Sequence, residues 1–297
     1  MTKRTVANNF LYYIFCGFSG AVTSLIVWLF LKLMGLGIGL VWDTIPSNFD
    51  FKFYPIIVCT AGGIILGIWQ KLTNAVPDEL DEVMKKVKKD KFYPYNKVLL
   101  LCISALLPLV FGGSLGPEAG LTGVIVGLCY WAGSHMKDAK SKIPELMQIG
   151  ISATLSAVFY APLFGLASVN EERLDSEEKP TDIRSTKLIS NIIAVLFAAG
   201  TLFLLNSVFG GSMGLPRLGG YNITNFERLW GIPLALLGAV CGFLFIISSK
   251  IFGKFFALIQ GKLGIIISTT LGGIILGVMG CLLYTSPSPR DGATSRM

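Results

Sequence analysis

Charge-free stretches dominate the chain. Residues 5–31, 53–70, 98–117, 119–134, 146–170, 188–216, 229–249 and 263–289 hold no Asp, Glu, Lys or Arg. Each reaches or approaches the roughly 20 apolar residues that a helix needs to cross a bilayer. Spanning helices are therefore predicted over 10–34, 53–71, 188–206, 229–250 and 263–283. Interrupted helices are predicted over 98–134 and 146–170, where glycine or proline breaks the run. Small residues recur at helical spacing in these segments: Gly17 and Gly20, Gly62, Gly63 and Gly67, Gly150, Ala153 and Ala157, Gly272, Gly273 and Gly277. Such residues let helix backbones approach closely in a membrane.

The intervening segments carry the polarity. Lys3 and Arg4 precede the first run and predict a cytoplasmic N-terminus over residues 1–9. Residues 35–52 read as an external loop. Residues 78–91 place Asp78, Glu79, Asp81 and Glu82 before five lysines, an order that suits the dipole of an amphipathic, solvated helix. Residues 174–187 read as a cytoplasmic loop, and 210–216 as a glycine-rich turn. Three lysines between 136 and 142 bias that loop towards the cytoplasm.

One acid breaks the pattern. Glu118 stands alone between 98–117 and 119–134, directly after Gly112-Gly113-Ser114-Leu115-Gly116-Pro117. A carboxylate at that depth is costly in hydrocarbon and marks an ion or proton path. The glycines end one helix, and Pro117 suits the first position of the next. The free N–H groups of a helix start attract anions. Non-helical backbone at membrane depth is tolerated where it is buried in protein or lines a cavity.

Gly116-Pro117-Glu118-Ala119 resembles the glycine–X–glutamate motif of the CLC family of chloride channels and proton/chloride antiporters. Phe159-Tyr160-Ala161-Pro162-Leu163-Phe164-Gly165, with Glu171-Glu172, is similar to the family's phenylalanine–asparagine–alanine–proline–leucine–X–glycine block and its closing glutamate pair. The resemblance implies an all-α integral membrane protein of the cell membrane, an inverted-repeat bundle with broken and re-entrant helices. It implies gating by Glu118, proton transfer by Glu172, and an anion site built around Gly116, Pro117, Ala119 and Gly120. Asn74 falls where the family has an anion-coordinating serine, ahead of Pro77, and its amide can donate likewise. Pro117 replaces the family's usual base, and Gly120 its usual proline. The family topology would place the 136–142 loop outside, against its charge bias.

The expected organisation is a first repeat over 10–186, a partial second repeat over 187–280, and an unrelated tail over 281–297 that reads as foreign sequence. The expected activity is transport of chloride or similar anions, open to proton exchange, by a homodimer in contact with membrane lipid. A permease for another solute on similar broken helices and a non-conducting fragment are the rival readings. The net charge of +7 lies between the apolar runs and suits anionic lipid rather than nucleic acid. Six cysteines lie mostly in apolar segments without metal-ligand spacing, and there is one histidine. No metal, cofactor or enzymatic activity is therefore expected. The first apolar run is too long for a cleavable signal peptide.

Overall fold

The computed structural model describes residues 3–48, 51, 53–78, 82–83, 85–86, 96–113, 116–135, 143–174, 183–210 and 225–284. Its helices are α1 Lys3–Ile38, α2 Tyr54–Thr73, α3 Val98–Val110, α4 Pro117–His135, α5 Ile143–Val158, α6 Pro162–Leu174, α7 Ile183–Phe209, α8 Asn225–Leu263 and α9 Ile265–Tyr284. Among the described residues, segments at Tyr12–Thr44, Tyr54–Thr73, Leu188–Phe209, Leu229–Gly261 and Ile265–Leu282 are long and apolar enough to cross a membrane. The chain is an all-α, multi-span bundle.

Expected boundaries move, two of them furthest. The first helix does not stop near residue 34 but continues into a π-helical turn, Gly39–Thr44, and a short 3-10 turn, Pro46–Asn48. Residues 35–42 hold no charge, and two side chains tie this extension to its neighbours. The Tyr54 hydroxyl donates to the Val41 carbonyl, and the Trp42 indole N–H donates to Val110 O at 2.9 Å. The 229–250 span likewise runs on to Leu263, because exposed Lys250 and Lys254 need not break a helix whose polar face meets no protein. Gly264, with φ +88°, makes the sharp join to α9.

Glycines set the helix pairs. α2 and α9 are antiparallel and meet backbone to backbone. A Cβ on Gly63 would lie 2.5 Å from Thr269 O, one on Gly67 2.7 Å from Ile266 Cα, and one on Gly277 2.6 Å from Ile56 Cα. α1 and α7 run parallel: Gly20 faces the Ala194 backbone, Ser24 Oγ donates to Ala198 O at 2.8 Å, and Trp28 Nε1 donates to Asn206 Oδ1 at 3.2 Å. α5 shares their direction, since Tyr12 meets Glu145 near one end and Val27 packs with Ala157 near the other. Its centre is fully buried, from Leu146 and Met147 through Gly150 to Ala157.

The segment after α2 is more than a solvated loop. Residues 82–83 and 85–86 are helical, and Val83 is 0% exposed in a cluster with Ile125, Val126 and Cys129 of α4 and Met147, Ile151 and Leu155 of α5. One apolar side chain thus anchors a charged segment to the bundle; Asp78 and Lys86 pair across it at 2.6 Å. By contrast, none of the Leu229–Gly261 window of α8 is buried within the chain.

Candidate functional site

The break expected before Glu118 is present. Pro108 stands in the last turn of α3, and the helix closes with Gly113 N–H donating to Pro108 O at 2.6 Å. Gly112 takes φ +86°, and a Cβ there would lie 2.8 Å from the Trp42 ring, so both backbone and neighbour require glycine. The same Trp42 satisfies one of the carbonyls that the end of α3 leaves free.

α4 then starts at Pro117, with Glu118 in its first turn. The Glu118 side chain folds back over Gly116: a Cβ on Gly116 would fall on the carboxyl group. Glu118 is half-buried, and among the described residues its carboxylate has no hydrogen-bond or ion-pair partner. Its own carbonyl accepts from Thr122 Oγ1 at 2.6 Å. The carboxylate therefore lies at the positive end of its own helix, where a negative charge is favoured. Pro117 brings no N–H; the donors free at this start are the amides of Gly116, Glu118 and Ala119, while the Gly120 N–H closes the first helical bond onto Gly116.

Gly120 explains its own presence. It is buried, and a Cβ on it would fall on Ala105 Cβ of α3, so the two arms of the broken pair cross at this residue. Proline, the family's usual residue there, would bring its ring into that contact. Leu121, 0% exposed, packs next to it with Val27, Phe30, Leu109 and Ala157, which fixes the start of α4 deep in the bundle.

Asn74 closes α2 in the left-handed conformation, φ 48°, ψ 32°, its N–H donating to Gln70 O at 2.9 Å. Asn tolerates that conformation better than most residues. The side chain is exposed, and the next residue, Ala75, packs with Leu101 and Val124. Val124 is six residues along α4 from Glu118, about 9 Å by helix rise, and among the described residues no hydrogen bond joins Asn74 to Glu118.

The second motif forms the turn between α5 and α6. At 16 and 13 residues these helices are each about 20–24 Å long, short of the roughly 30 Å hydrocarbon core. α6 folds back along α5: Ser152 Oγ donates to Gly165 O at 3.0 Å, and a Cβ on Gly165 would fall on Ser156 Oγ. Glu172 lies in the final turns of α6, so its backbone returns towards the start of α5, while Glu118 lies near the other end; the Glu172 side chain is outside the described residues.

Two polar features escaped sequence reasoning. Tyr160, with φ 52°, receives a 2.9 Å bond from Asn206 Nδ2, and Asn206 in turn accepts from Trp28. Tyrosine at the family's asparagine position was the only signal, and Asn206 is 46 residues away. Likewise, Tyr12 donates to Glu145 Oε2 at 2.9 Å across 133 residues.

Long apolar helices in one bundle define a multi-pass protein of the cell membrane. The family model described as voltage gated chloride channel matches residues 61–293, and the chain belongs to that family, one of channels and transporters rather than enzymes. It is 23% identical over 272 residues to YfeO of Escherichia coli O17:K52:H18, whose name provisionally assigns it ion transport; 89% of this chain and 61% of that protein are covered. It is 22% identical over 229 residues to the voltage-gated ClC-type chloride channel ClcB of Escherichia coli O9:H4, and equally to that of Shigella boydii serotype 18. Each of these two matches covers 76% of this chain and 51% of the relative. The chain thus spans about half to three fifths of the length of these relatives.

Proposed function

We propose that the protein conducts chloride or a similar anion through a pathway gated by Glu118. The observation that carries this reading is the fold of the Glu118 carboxylate onto the start of α4. There the carboxylate occupies the place where a helix start would receive a permeating anion. Protonation removes the charge that holds it, and an anion can replace it. Selectivity then comes from amide donors rather than fixed cations, since residues 98–134 hold no Lys or Arg.

In this reading the Ala119 amide donates to the anion, Gly120 lines the inner wall of the site, Gly116 leaves room for the carboxylate, Pro117 sets the helix start, and the Asn74 amide donates from the end of α2. Glu172, at the opposite end of the α5–α6 pair, hands protons inward, so that anion and proton movement are coupled. Residues 10–186 form a first inverted repeat with re-entrant helices, and 187–280 belong to the second. Two copies assemble as a homodimer with one pathway each.

The test is chloride flux in liposomes, with the protein expressed from its whole gene. Glu118→Gln should conduct anions in preference to sodium or potassium and lose the dependence on pH that the parent shows. A parent-like pH dependence in Glu118→Gln, or cation flux without anion flux, sinks the reading.

A further inference from the structure

Asn191 is 1% exposed on α7, and among the described residues neither its Nδ2 nor its Oδ1 has a hydrogen-bond partner. A primary amide has two donors and an acceptor with two lone pairs. Leaving all of them unmet in an apolar bundle costs far more than leaving out the amide altogether. Polar groups buried in this way are satisfied by ordered water when further polar partners are within reach.

Such partners lie in the same layer. Cys16 of α1, Leu146 and Ile149 of α5 and Ala194 of α7 form one buried apolar cluster, with Tyr12 and Phe15 against it. The three helices run in the same direction. Tyr12 precedes Cys16 by one turn, Glu145 precedes Ile149 by one turn, and Asn191 precedes Ala194 by three residues. All three polar residues therefore sit just below the apolar cluster, towards the N-terminal ends of their helices. Within that layer Tyr12 donates to Glu145 Oε2 at 2.9 Å. A carboxylate offers about four lone-pair sites, so one hydrogen bond does not fill it.

We propose that the α1–α5–α7 junction binds ordered water at the level of Tyr12, Glu145 and Asn191. A water accepting from Asn191 Nδ2 and donating to the Glu145 carboxylate satisfies both sides, and a second can donate to Asn191 Oδ1. The apolar cluster of Cys16, Leu146, Ile149 and Ala194 seals the layer on the side facing the bundle centre. The proposal concerns the packing of α1, α5 and α7 and does not depend on the transport reading or on Glu118 and Glu172.

Radiolytic hydroxyl-radical footprinting of the purified chain in detergent tests it, because bound water yields radicals where bulk solvent does not reach. Cys16 is 0% exposed, and its sulfur is readily oxidised by a hydroxyl radical formed beside it. It should be oxidised in the parent protein and in Asn191→Ser, which keeps a hydroxyl for the water. Asn191→Leu should lose that labelling while the half-exposed Trp131 is labelled as before, and it should not melt at a higher temperature than the parent. An unlabelled Cys16 in both parent and Asn191→Ser overturns the proposal. So does a folded Asn191→Leu that labels Cys16 as strongly as the parent, or that gains thermal stability as a dry, relieved core would.

Discussion

Gly116→Ala gives the proposed gate its most direct test. Alanine at this position adds only a methyl group. That methyl falls on the Glu118 carboxyl group. The obstacle is the mobile end of a flexible side chain, so the fold can tolerate the change, but the carboxylate cannot keep its place over the helix start. A carboxylate in a partly buried position at a helix N-terminus is worth about 0.3–2 kcal/mol. Losing that attraction shifts the balance between occupied and displaced carboxylate by about 2- to 30-fold, at 1.4 kcal/mol per factor of ten. Chloride efflux from liposomes, followed from acidic to neutral pH, reads the shift. Gly116→Ala should raise flux most where the parent is slowest and should flatten the pH profile. The Gly116→Ala/Glu118→Gln double variant should match Glu118→Gln alone, since both changes act on one step. Flux like the parent's at every pH, from a protein that folds normally, would refute the reasoning; so would two fully additive effects.

Glu172→Gln should abolish proton movement and leave chloride movement largely intact, as judged by parallel pH-electrode and chloride-electrode traces; unchanged coupling would return Glu172 to a helix-end role. At the α2–α9 contact, a Cβ on Gly273 would fall on the Cys59 carbonyl, with the Gly63 Cα at 3.4 Å. Gly273→Val should force the helices apart and destabilise the protein by about 1–3 kcal/mol, seen as a lower melting temperature by fluorescence-detected size exclusion. The same change at Gly238 of α8, where a Cβ meets nothing within 4 Å, should be far milder.

The membrane class, the helix count near the site and the break before Glu118 were legible in the sequence, because each depends on local chemistry. A charge-free run long enough to span a bilayer, three glycines ahead of a proline, and one acid among apolar neighbours carry their meaning wherever the rest of the chain goes. The packing glycines were legible for the same reason: Gly63, Gly67, Gly273 and Gly277 recur at helical spacing, although nothing in that spacing said that α2 and α9 would be each other's partner. Boundaries were less legible, as with α1, whose end is set by Trp42 and Tyr54 reaching neighbouring carbonyls rather than by a stop signal.

Only the tertiary structure decided how the site is held. It set Gly120 against Ala105, folded the Glu118 carboxylate over Gly116, anchored a lysine-rich segment through Val83, and brought Tyr12 to Glu145 and Asn206 to Tyr160. All but the Glu118–Gly116 contact join residues from about 15 to 133 positions apart. Hydrophobic period and local propensity act over a few turns of chain, whereas each such contact depends on which helices lie side by side and in which direction they run.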